Sequence, residues 1–165
     1  MKKSLYVALG CAVLATAAAA LWFSGPRAAP ESTFVLLSGA KITPADFKGK
    51  VTLVNFWATS CTSCVAEMPQ LAATYLKYQP RGYDTVAVAM RYDPPAYVVN
   101  FASSRMLPFK VAIDNTGAVA QAWGDVQLTP TSFLLNKRGE IVKRYVGPPD
   151  FAELHRLIEQ LMAQT

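Results

Sequence analysis

Apolar residues are spaced along this chain in two ways, as unbroken runs and as helical repeats, and the two patterns alternate from residue 51 onward. Val51 to Ala58 and Thr85 to Met90 are apolar almost throughout, as strands covered on both faces are. Between them, from Cys61 to about Tyr78, apolar residues recur at helical spacing on one face. This alternation predicts an α/β fold with helices packed on both sides of a sheet.

The second half of the chain continues the alternation and then changes to a hairpin. Two apolar segments flank the polar turn at 137–140, so the predicted sheet is mixed, with parallel and antiparallel strands. Pro69 is expected to kink the first helix because it removes one backbone donor. The remaining predicted elements are short strands at 33–37 and 41–42, a helix at 94–105, a strand at 109–113, a short helix at 117–123, hairpin strands at 132–136 and 141–146, and an amphipathic helix at 151–162.

A longer apolar run occupies the N-terminus. Twenty uncharged, mostly apolar residues from Ser4 to Phe23 follow Lys2 and Lys3. A helix of this length spans about 30 Å, the thickness of the hydrocarbon core of a bilayer, and its positive flank is expected to stay in the cytoplasm. Residues 1–24 are therefore predicted to be a transmembrane anchor, followed by a linker at 25–32 and a single domain at 33–165.

Two alternatives to a retained anchor remain open. Ala18 to Ala20 offer the small residues of a cleavable signal peptide, whose removal would leave a soluble periplasmic domain. Trp22 and Phe23 continue the apolar run beyond that point, which favours retention. Cys11 invites a lipoprotein interpretation, but the apolar run before it is short and matches the recognition pattern poorly.

The charges of the chain exclude one class of partner. The formal net charge is +5, but Lys2, Lys3 and Arg27 lie in or beside the apolar segment. Residues 31–165 hold the other thirteen Lys and Arg residues and all eleven Asp and Glu residues, which leaves a net charge of +2. Because these charges are scattered, the sequence predicts no nucleic-acid partner. We expect one domain with a core of its own, present as a monomer.

The candidate chemistry lies in the sequence Cys-Thr-Ser-Cys at residues 61–64, directly behind the first predicted central strand. This spacing at a helix start brings two sulfurs within bonding distance, and the helix dipole favours a thiolate. Zinc would need about four ligands, and only Cys11 and His155 remain as further soft ligands. An extracytoplasmic domain with just two cysteines has no disulfide framework, so the pair indicates redox turnover without a metal or cofactor.

The residues around the pair extend this pattern. The stretch Asn-Phe-Trp-Ala-Thr-Ser-Cys-Thr-Ser-Cys at 55–64, with Glu67 and Pro69 behind it and Thr-Pro-Thr at 129–131, resembles the TlpA-like (ResA-like) group of membrane-anchored thiol-disulfide oxidoreductases in the thioredoxin superfamily. The likeness covers nearly all of residues 31–165. It implies a thioredoxin-like fold with an extra αβ insertion at 94–113. Ser60 departs from the aromatic residue that many relatives carry before the first cysteine.

Each residue of the expected dithiol site has a distinct role. Cys61, at the helix start, is expected to be the exposed nucleophile, and Cys64, one turn deeper, to resolve the mixed disulfide. Glu67 lies three residues beyond Cys64 on the same helical face, and the resemblance implies that it deprotonates Cys64, although an ordinary solvated glutamate is the alternative. Asn55 stands where plain thioredoxins have a buried aspartate, and an amide cannot exchange protons.

The other half of the expected site lies at Thr129 and Pro130. A proline here can simply begin a strand. The resemblance implies instead a cis proline packed against the dithiol, with the backbone of Thr129 pairing with an extended substrate chain. Trp57 is expected to line the same substrate-binding surface, and a core position is its alternative.

Three functions are compatible with these residues. The resemblance favours a reductase on the periplasmic side of the bacterial inner membrane, supplied by an electron-donating membrane thiol-disulfide protein. The implied substrates are oxidised thiols of haem-attachment or copper-site proteins in cytochrome assembly. An oxidase or isomerase that donates disulfides would use the same residues at a less reducing potential. A copper-handling chaperone would add His155 to the cysteines, but a lone histidine on an amphipathic helix is usually a surface or packing residue.

Overall fold

The computed structural model describes residues 27–164 of the chain. The predicted anchor at 1–24 and the first two residues of the predicted linker lie outside the described residues. Within residues 27–164, none of the helices combines the length and the apolar character needed to cross a bilayer.

Eight strands and four α-helices follow one another along the described residues. The strands are β1 (Arg27–Ala28), β2 (Phe34–Val35), β3 (Lys41–Ile42), β4 (Val51–Trp57), β5 (Tyr83–Ala89), β6 (Lys110–Ile113), β7 (Thr131–Leu135) and β8 (Glu140–Val146). The helices are α1 (Thr62–Tyr78), α2 (Pro95–Ser104), α3 (Ala118–Ala122) and α4 (Phe151–Ala163), with short 3₁₀ turns at Pro44–Phe47 and Gln79–Arg81. The predicted helices and strands are therefore present, with ends that differ by a few residues.

Six of the strands form one mixed sheet in the order β1-β8-β7-β4-β5-β6. Strand β4 pairs in parallel with β5, and β5 with β6, whereas β7 is antiparallel to both β4 and β8. The two central strands β4 and β5 are buried at every residue, as their unbroken apolar runs predict. The mixed sheet expected from the sequence is confirmed.

Alternate residues of β4 face two separate halves of the core. Leu53 and Trp57 belong to a cluster that includes the buried residues of α1 and α4. Phe56, on the opposite face, belongs to a cluster that includes Trp123 and Phe133. Because side chains alternate along a strand, β4 contributes to the core on both faces of the sheet. Helix α1 follows shortly after the carboxyl end of β4.

The N-terminal part of the fold differs in detail from the expectation. Arg27 and Ala28, which the sequence assigns to a linker, form the edge strand β1 and pair with Ile141 and Glu140 of β8. The predicted strand at 33–37 is shorter, because only Phe34 and Val35 pair with β3. The predicted αβ segment at 94–113 forms α2 and β6, and β6 closes the far edge of the sheet.

Candidate active site

The cysteine motif occupies the turn that joins β4 to α1. Trp57 ends the strand, and the backbone N–H of Cys61 donates to the carbonyl of Ala58 at 3.1 Å. Cys61 is the N-cap residue of α1, with extended backbone angles, and its sulfur accepts a hydrogen bond from the N–H of Cys64 at 3.2 Å. The sulfur therefore sits where the unpaired N–H groups and the positive end of the helix dipole converge, and this environment stabilises a thiolate.

The two sulfurs are bonded to each other and have unequal access to solvent. The Cys61–Cys64 disulfide has an S–S distance of 2.19 Å, so the structure shows the oxidised protein. Cys64 is 0% exposed, whereas Cys61 is only half-buried. A substrate can reach Cys61 first, which agrees with the predicted order of attack.

Thr129 lies directly against this disulfide, and Pro130 follows it in the chain. The peptide bond between them is cis, as the family resemblance implies. The carbonyl oxygen of Thr129 is 3.5 Å from the sulfur of Cys61. Pro130 is buried at the start of β7, the strand that pairs with β4, and its carbonyl accepts a hydrogen bond from Gly147 at 2.8 Å. The pairing of β7 with β4 therefore brings residues 129 and 130 to the dithiol.

Glu67 is a buried carboxyl group on the dithiol helix. It is 3% exposed, and its Oε1 accepts a hydrogen bond from Asn55 Nδ2 at 2.9 Å. Burial raises the pKa of Glu67 to about 7, and the hydrogen bond from Asn55 opposes part of that rise. Cys64 and Glu67 are separated by one helical turn and are both buried, so the carboxyl group lies close to the resolving cysteine.

Asn55 links the helix that carries the dithiol to the strand that follows the proline. Its amide nitrogen donates to Glu67 Oε1 and also to Ser132 Oγ, at 2.9 Å in each case. Ser132 is the residue opposite Asn55 in the β4–β7 register. Sequence reasoning named Asn55 and Glu67 but missed their contact. The contact could have been predicted, because Asn55 is a polar residue in an apolar strand and alternation along β4 places it on the face that packs against α1.

Trp57 does not occupy the substrate-binding surface that was predicted for it. Its side chain is 0% exposed and packs against Phe101 with ring centroids 5.1 Å apart. Alternation along β4 directs Trp57 to the same side as Leu53, into the core beneath α1. We correct this expectation, because a completely buried indole does not contact a substrate at the surface.

His155 lies in α4 and its contacts are those of a packing residue. Its Nε2 is 2.8 Å from the hydroxyl of Thr74, and its ring packs edge-on against Tyr78 and Phe151. Thr74 is ten residues beyond Cys64 in the same helix, about 15 Å along its axis. Among residues 27–164 no group of three His, Cys, Asp or Glu side chains is arranged to hold a metal ion.

One further residue near the dithiol was missed by the sequence analysis. Asp93 follows β5 and was treated only as the start of a helix. It is 3% exposed, and its two carboxylate oxygens accept hydrogen bonds from the backbone N–H and the hydroxyl of Thr59, two residues before Cys61. Its neighbour Tyr92 places its hydroxyl 3.3 Å from Thr129 Oγ1. The loop after β5 therefore reaches both halves of the site.

Comparison with known proteins identifies similar sequences. The Redoxin family model matches residues 24–158. The thiol-disulfide oxidoreductase ResA of Bacillus thuringiensis subsp. konkukian is 35% identical over 135 residues, which cover 82% of this chain and 77% of that protein.

Two solved structures share the fold over most of the chain. A putative thioredoxin from Neisseria meningitidis is 40% identical, with a TM-score of 0.79 over 86% of this chain and 93% of the other. A putative thiol:disulfide interchange protein DsbE from Chlorobium tepidum is 28% identical, with a TM-score of 0.76 over 84% of this chain and 97% of the other. These neighbours confirm the thioredoxin-like fold.

Proposed function

Since this chain belongs to the redoxin family and is a ResA-like thiol-disulfide oxidoreductase of the thioredoxin superfamily, we propose that it works as a reductase of protein disulfides outside the cytoplasm. The observation that carries the proposal is the unequal dithiol, with an accessible sulfur at a helix start and a buried sulfur one turn from a carboxyl group of raised pKa. In the reducing direction the buried cysteine loses its proton to resolve the mixed disulfide, and the carboxyl group supplies the base for that step. In the oxidising direction the same group would protonate the departing Cys64 thiolate, so the reduction potential decides the direction.

The first step is an attack by Cys61. In the reduced protein its thiolate attacks one sulfur of the substrate disulfide, forms a mixed disulfide and releases the first substrate thiolate. The N–H groups at the start of α1 stabilise the attacking thiolate. The carbonyl of Thr129, beside this sulfur, accepts a backbone N–H of an extended substrate chain and aligns it for the attack.

The second step is the resolution of the mixed disulfide. Cys64 passes its proton to Glu67, and its thiolate then attacks the Cys61 sulfur and releases the second substrate thiolate. Two electrons have passed from the dithiol to the substrate, and the protein is left with the disulfide that the structure shows. The substrate thiolates take up protons from Glu67 and from solvent. A base with a pKa of about 7 both accepts and returns a proton near neutral pH.

We place this reaction on the outer side of the cytoplasmic membrane. The apolar run at 4–23 behind two lysines supports an anchor in that membrane. A membrane thiol-disulfide protein would return the dithiol to its reduced form after each turnover, and the chain would act as a monomer. We propose oxidised haem-attachment or copper-site cysteines as the substrates, which is what the resemblance of the cysteine motif to the ResA-like group implies.

The reduction potential of the full-length protein, equilibrated in glutathione buffers, tests the direction of the reaction. A value near that of thioredoxin, roughly −270 mV, is expected for a reductase, whereas a value near that of DsbA, roughly −120 mV, would indicate an oxidase.

The substrate class is tested with an oxidised peptide of the form Cys-X-X-Cys-His, the haem-attachment pattern. We expect the reduced protein to open this peptide faster than an oxidised Cys-X-X-Cys-Ala control. Equal rates would remove the support for haem-attachment sites.

A further inference from the structure

The carboxylate of Asp93 is buried, and within residues 27–164 its hydrogen bonds come from one residue, Thr59. Asp93 lies between β5 and α2, and its backbone N–H closes a turn by donating to the carbonyl of Met90 at 2.9 Å. Its Oδ2 accepts from the N–H of Thr59, and its Oδ1 accepts from the Thr59 hydroxyl, each at 2.5 Å. Both oxygens are therefore used by the turn that leads into the dithiol.

Asp93 forms no ion pair with a cation of the described residues 27–164. The ion pairs found within residues 27–164 involve Asp84, Glu140 and Glu153, and none of them includes Asp93. A buried carboxylate without a cation is expensive to desolvate and depends on its hydrogen bonds for stabilisation. An apolar residue would fill the same space without that penalty, so the contact with Thr59 is the feature that requires an acidic or amide side chain here.

Thr59 lies inside the short turn at 58–61 that leads from β4 into α1. Ala58 continues the buried central strand, and its carbonyl accepts the N–H of Cys61. Ser60, between Thr59 and the nucleophile, is exposed. A shift of Thr59 would therefore be transmitted through one residue to the Cys61 sulfur, and would change its position relative to the Thr129 carbonyl.

We propose that Asp93 is a positioning residue for the nucleophile. By holding Thr59 at two points, it fixes the turn at 58–61 and keeps the Cys61 sulfur between the start of α1 and the carbonyl of Thr129. It touches neither the substrate nor a reacting atom. The proposal rests on dithiol exchange by this site and is independent of which protein the dithiol reduces.

The test compares two variants of Asp93 in the full-length reduced protein, with glutathione disulfide as the oxidant. Asp93→Ala removes both hydrogen bonds, and we expect the rate of exchange to fall roughly 10-fold or more, since small displacements of a reacting group carry large kinetic penalties. Asp93→Asn can still accept the N–H of Thr59 and can donate to its hydroxyl, so it should recover most of the lost rate. Recovery of the exchange rate in Asp93→Asn would show that the hydrogen bonds to Thr59, and not the negative charge of Asp93, support exchange.

Thr59 provides the same test from the other side of the contact. Thr59→Val keeps the branched shape but loses the hydroxyl, and should slow exchange by about threefold because the backbone hydrogen bond remains. In the double variant Asp93→Ala with Thr59→Val, the rate should equal that of Asp93→Ala alone, since the hydroxyl has no remaining partner to lose. Thr59→Val and Asp93→Asn keep the proposal testable if Asp93→Ala does not fold.

Asp114 is the matched control for the loss of a buried carboxylate. It is also 3% exposed, and it follows β6 as Asp93 follows β5, but it accepts a hydrogen bond from Ala120 at the start of α3. Asp114→Ala should lower stability and leave the exchange rate within about twofold of wild type, as expected for independent sites.

Equal losses of exchange rate in Asp93→Ala and Asp114→Ala, or a folded Asp93→Ala protein with the wild-type rate, would overturn the proposal. A wild-type protein that exchanges with glutathione disulfide but not with the Cys-X-X-Cys-His peptide would contradict only the proposed substrate.

Discussion

Cys61 and Cys64 share one bond but differ in the surroundings of their sulfurs. The first is half-buried, next to the Thr129 carbonyl, and the second is fully buried in the core cluster under α1. Because a substrate disulfide arrives from solvent, we propose that the accessible Cys61 attacks and the buried Cys64 resolves.

The two cysteine-to-serine variants should therefore behave differently. Cys61→Ser is expected to abolish exchange, because the accessible nucleophile is gone. Cys64→Ser is expected to accumulate a mixed disulfide with substrate, because only the resolving step is lost. The adduct can be followed by mass spectrometry under non-reducing conditions. An adduct on the Cys61→Ser variant, with none on Cys64→Ser, would reverse the assigned order.

Glu67 differs from a surface glutamate in both burial and pKa. Within residues 27–164 its carboxyl group accepts one hydrogen bond, from Asn55 to Oε1, and Oε2 has no hydrogen-bond partner. A carboxyl group in this setting holds its proton up to about pH 7. The group therefore changes charge in the pH range where a cysteine must be deprotonated for exchange.

Glu67→Gln should slow reduction of a substrate disulfide by roughly 10²-fold or more, because glutamine preserves the size and the hydrogen bond from Asn55 but is not a base. Formation of the mixed disulfide by Cys61 should be less affected, because the helix terminus supports that thiolate. Stopped-flow kinetics of both steps provide the measurement. Unchanged turnover in a folded variant would make water the base.

The raised pKa of Glu67 also predicts a pH dependence of stability. Between the ordinary pKa of 4.5 and the folded value of about 7, the folded protein keeps a proton that the unfolded chain releases. The free energy of unfolding should therefore decrease as the pH rises through this window, by an amount on the order of 3 kcal/mol. Urea unfolding of the oxidised protein from pH 4 to pH 8 measures this loss. In Glu67→Gln the same loss should be absent, and a wild-type curve parallel to that of the variant would contradict the shift.

Helix starts have two separate uses in this fold. At the start of α1, the cap is the nucleophilic sulfur itself, which accepts the N–H of Cys64. At the start of α4, the cap is Asp150, whose Oδ1 accepts the N–H groups of Ala152 and Glu153 at 2.8 and 3.1 Å. The cap of α1 is reactive because its sulfur takes part in the disulfide, whereas the cap of α4 only stabilises the start of the helix.

Asp150→Ala should lower the free energy of unfolding by about 1 kcal/mol, since two N–H groups at the start of α4 lose their acceptor. The rate of exchange with glutathione disulfide should stay at the wild-type value, because α4 does not contribute a residue to the site. Asp150→Asn is the matched control, because its amide oxygen still accepts these hydrogen bonds. Urea unfolding measures the stability, and equal losses for alanine and asparagine would show that the charge matters more than the cap.

At the scale of the whole molecule, the position of the chain in the cell depends on its N-terminal segment. The run of twenty uncharged, mostly apolar residues behind Lys2 and Lys3 is long enough to cross a bilayer. In a bacterial cell, the full-length protein should fractionate with the inner membrane and keep its N-terminal residues. N-terminal sequencing of the membrane and periplasmic fractions provides the measurement. Recovery of a soluble periplasmic form that begins near Leu21 would identify a cleaved signal peptide instead.

The helices and strands, and the place of the dithiol among them, follow from local sequence patterns. Apolar runs and helical spacing are local patterns, so they predict β4, β5 and α1 without knowledge of what packs against them. The placement of Cys61 at a helix start follows from the same local pattern. The cis proline and the role of Glu67 came from the family resemblance rather than from periodicity.

The tertiary structure decided which distant residues meet at the site. Asn55 contacts Glu67 twelve residues away, Asp93 contacts Thr59 thirty-four residues away, and the Cys61 sulfur lies beside the carbonyl of Thr129, sixty-eight residues away. Strand register and the alternation of side chains across the sheet set these contacts, and the same alternation sent Trp57 into the core. A one-residue change of register would turn every side chain of a strand to the opposite face of the sheet. The residues that we propose to position and activate the dithiol therefore meet only in the folded protein.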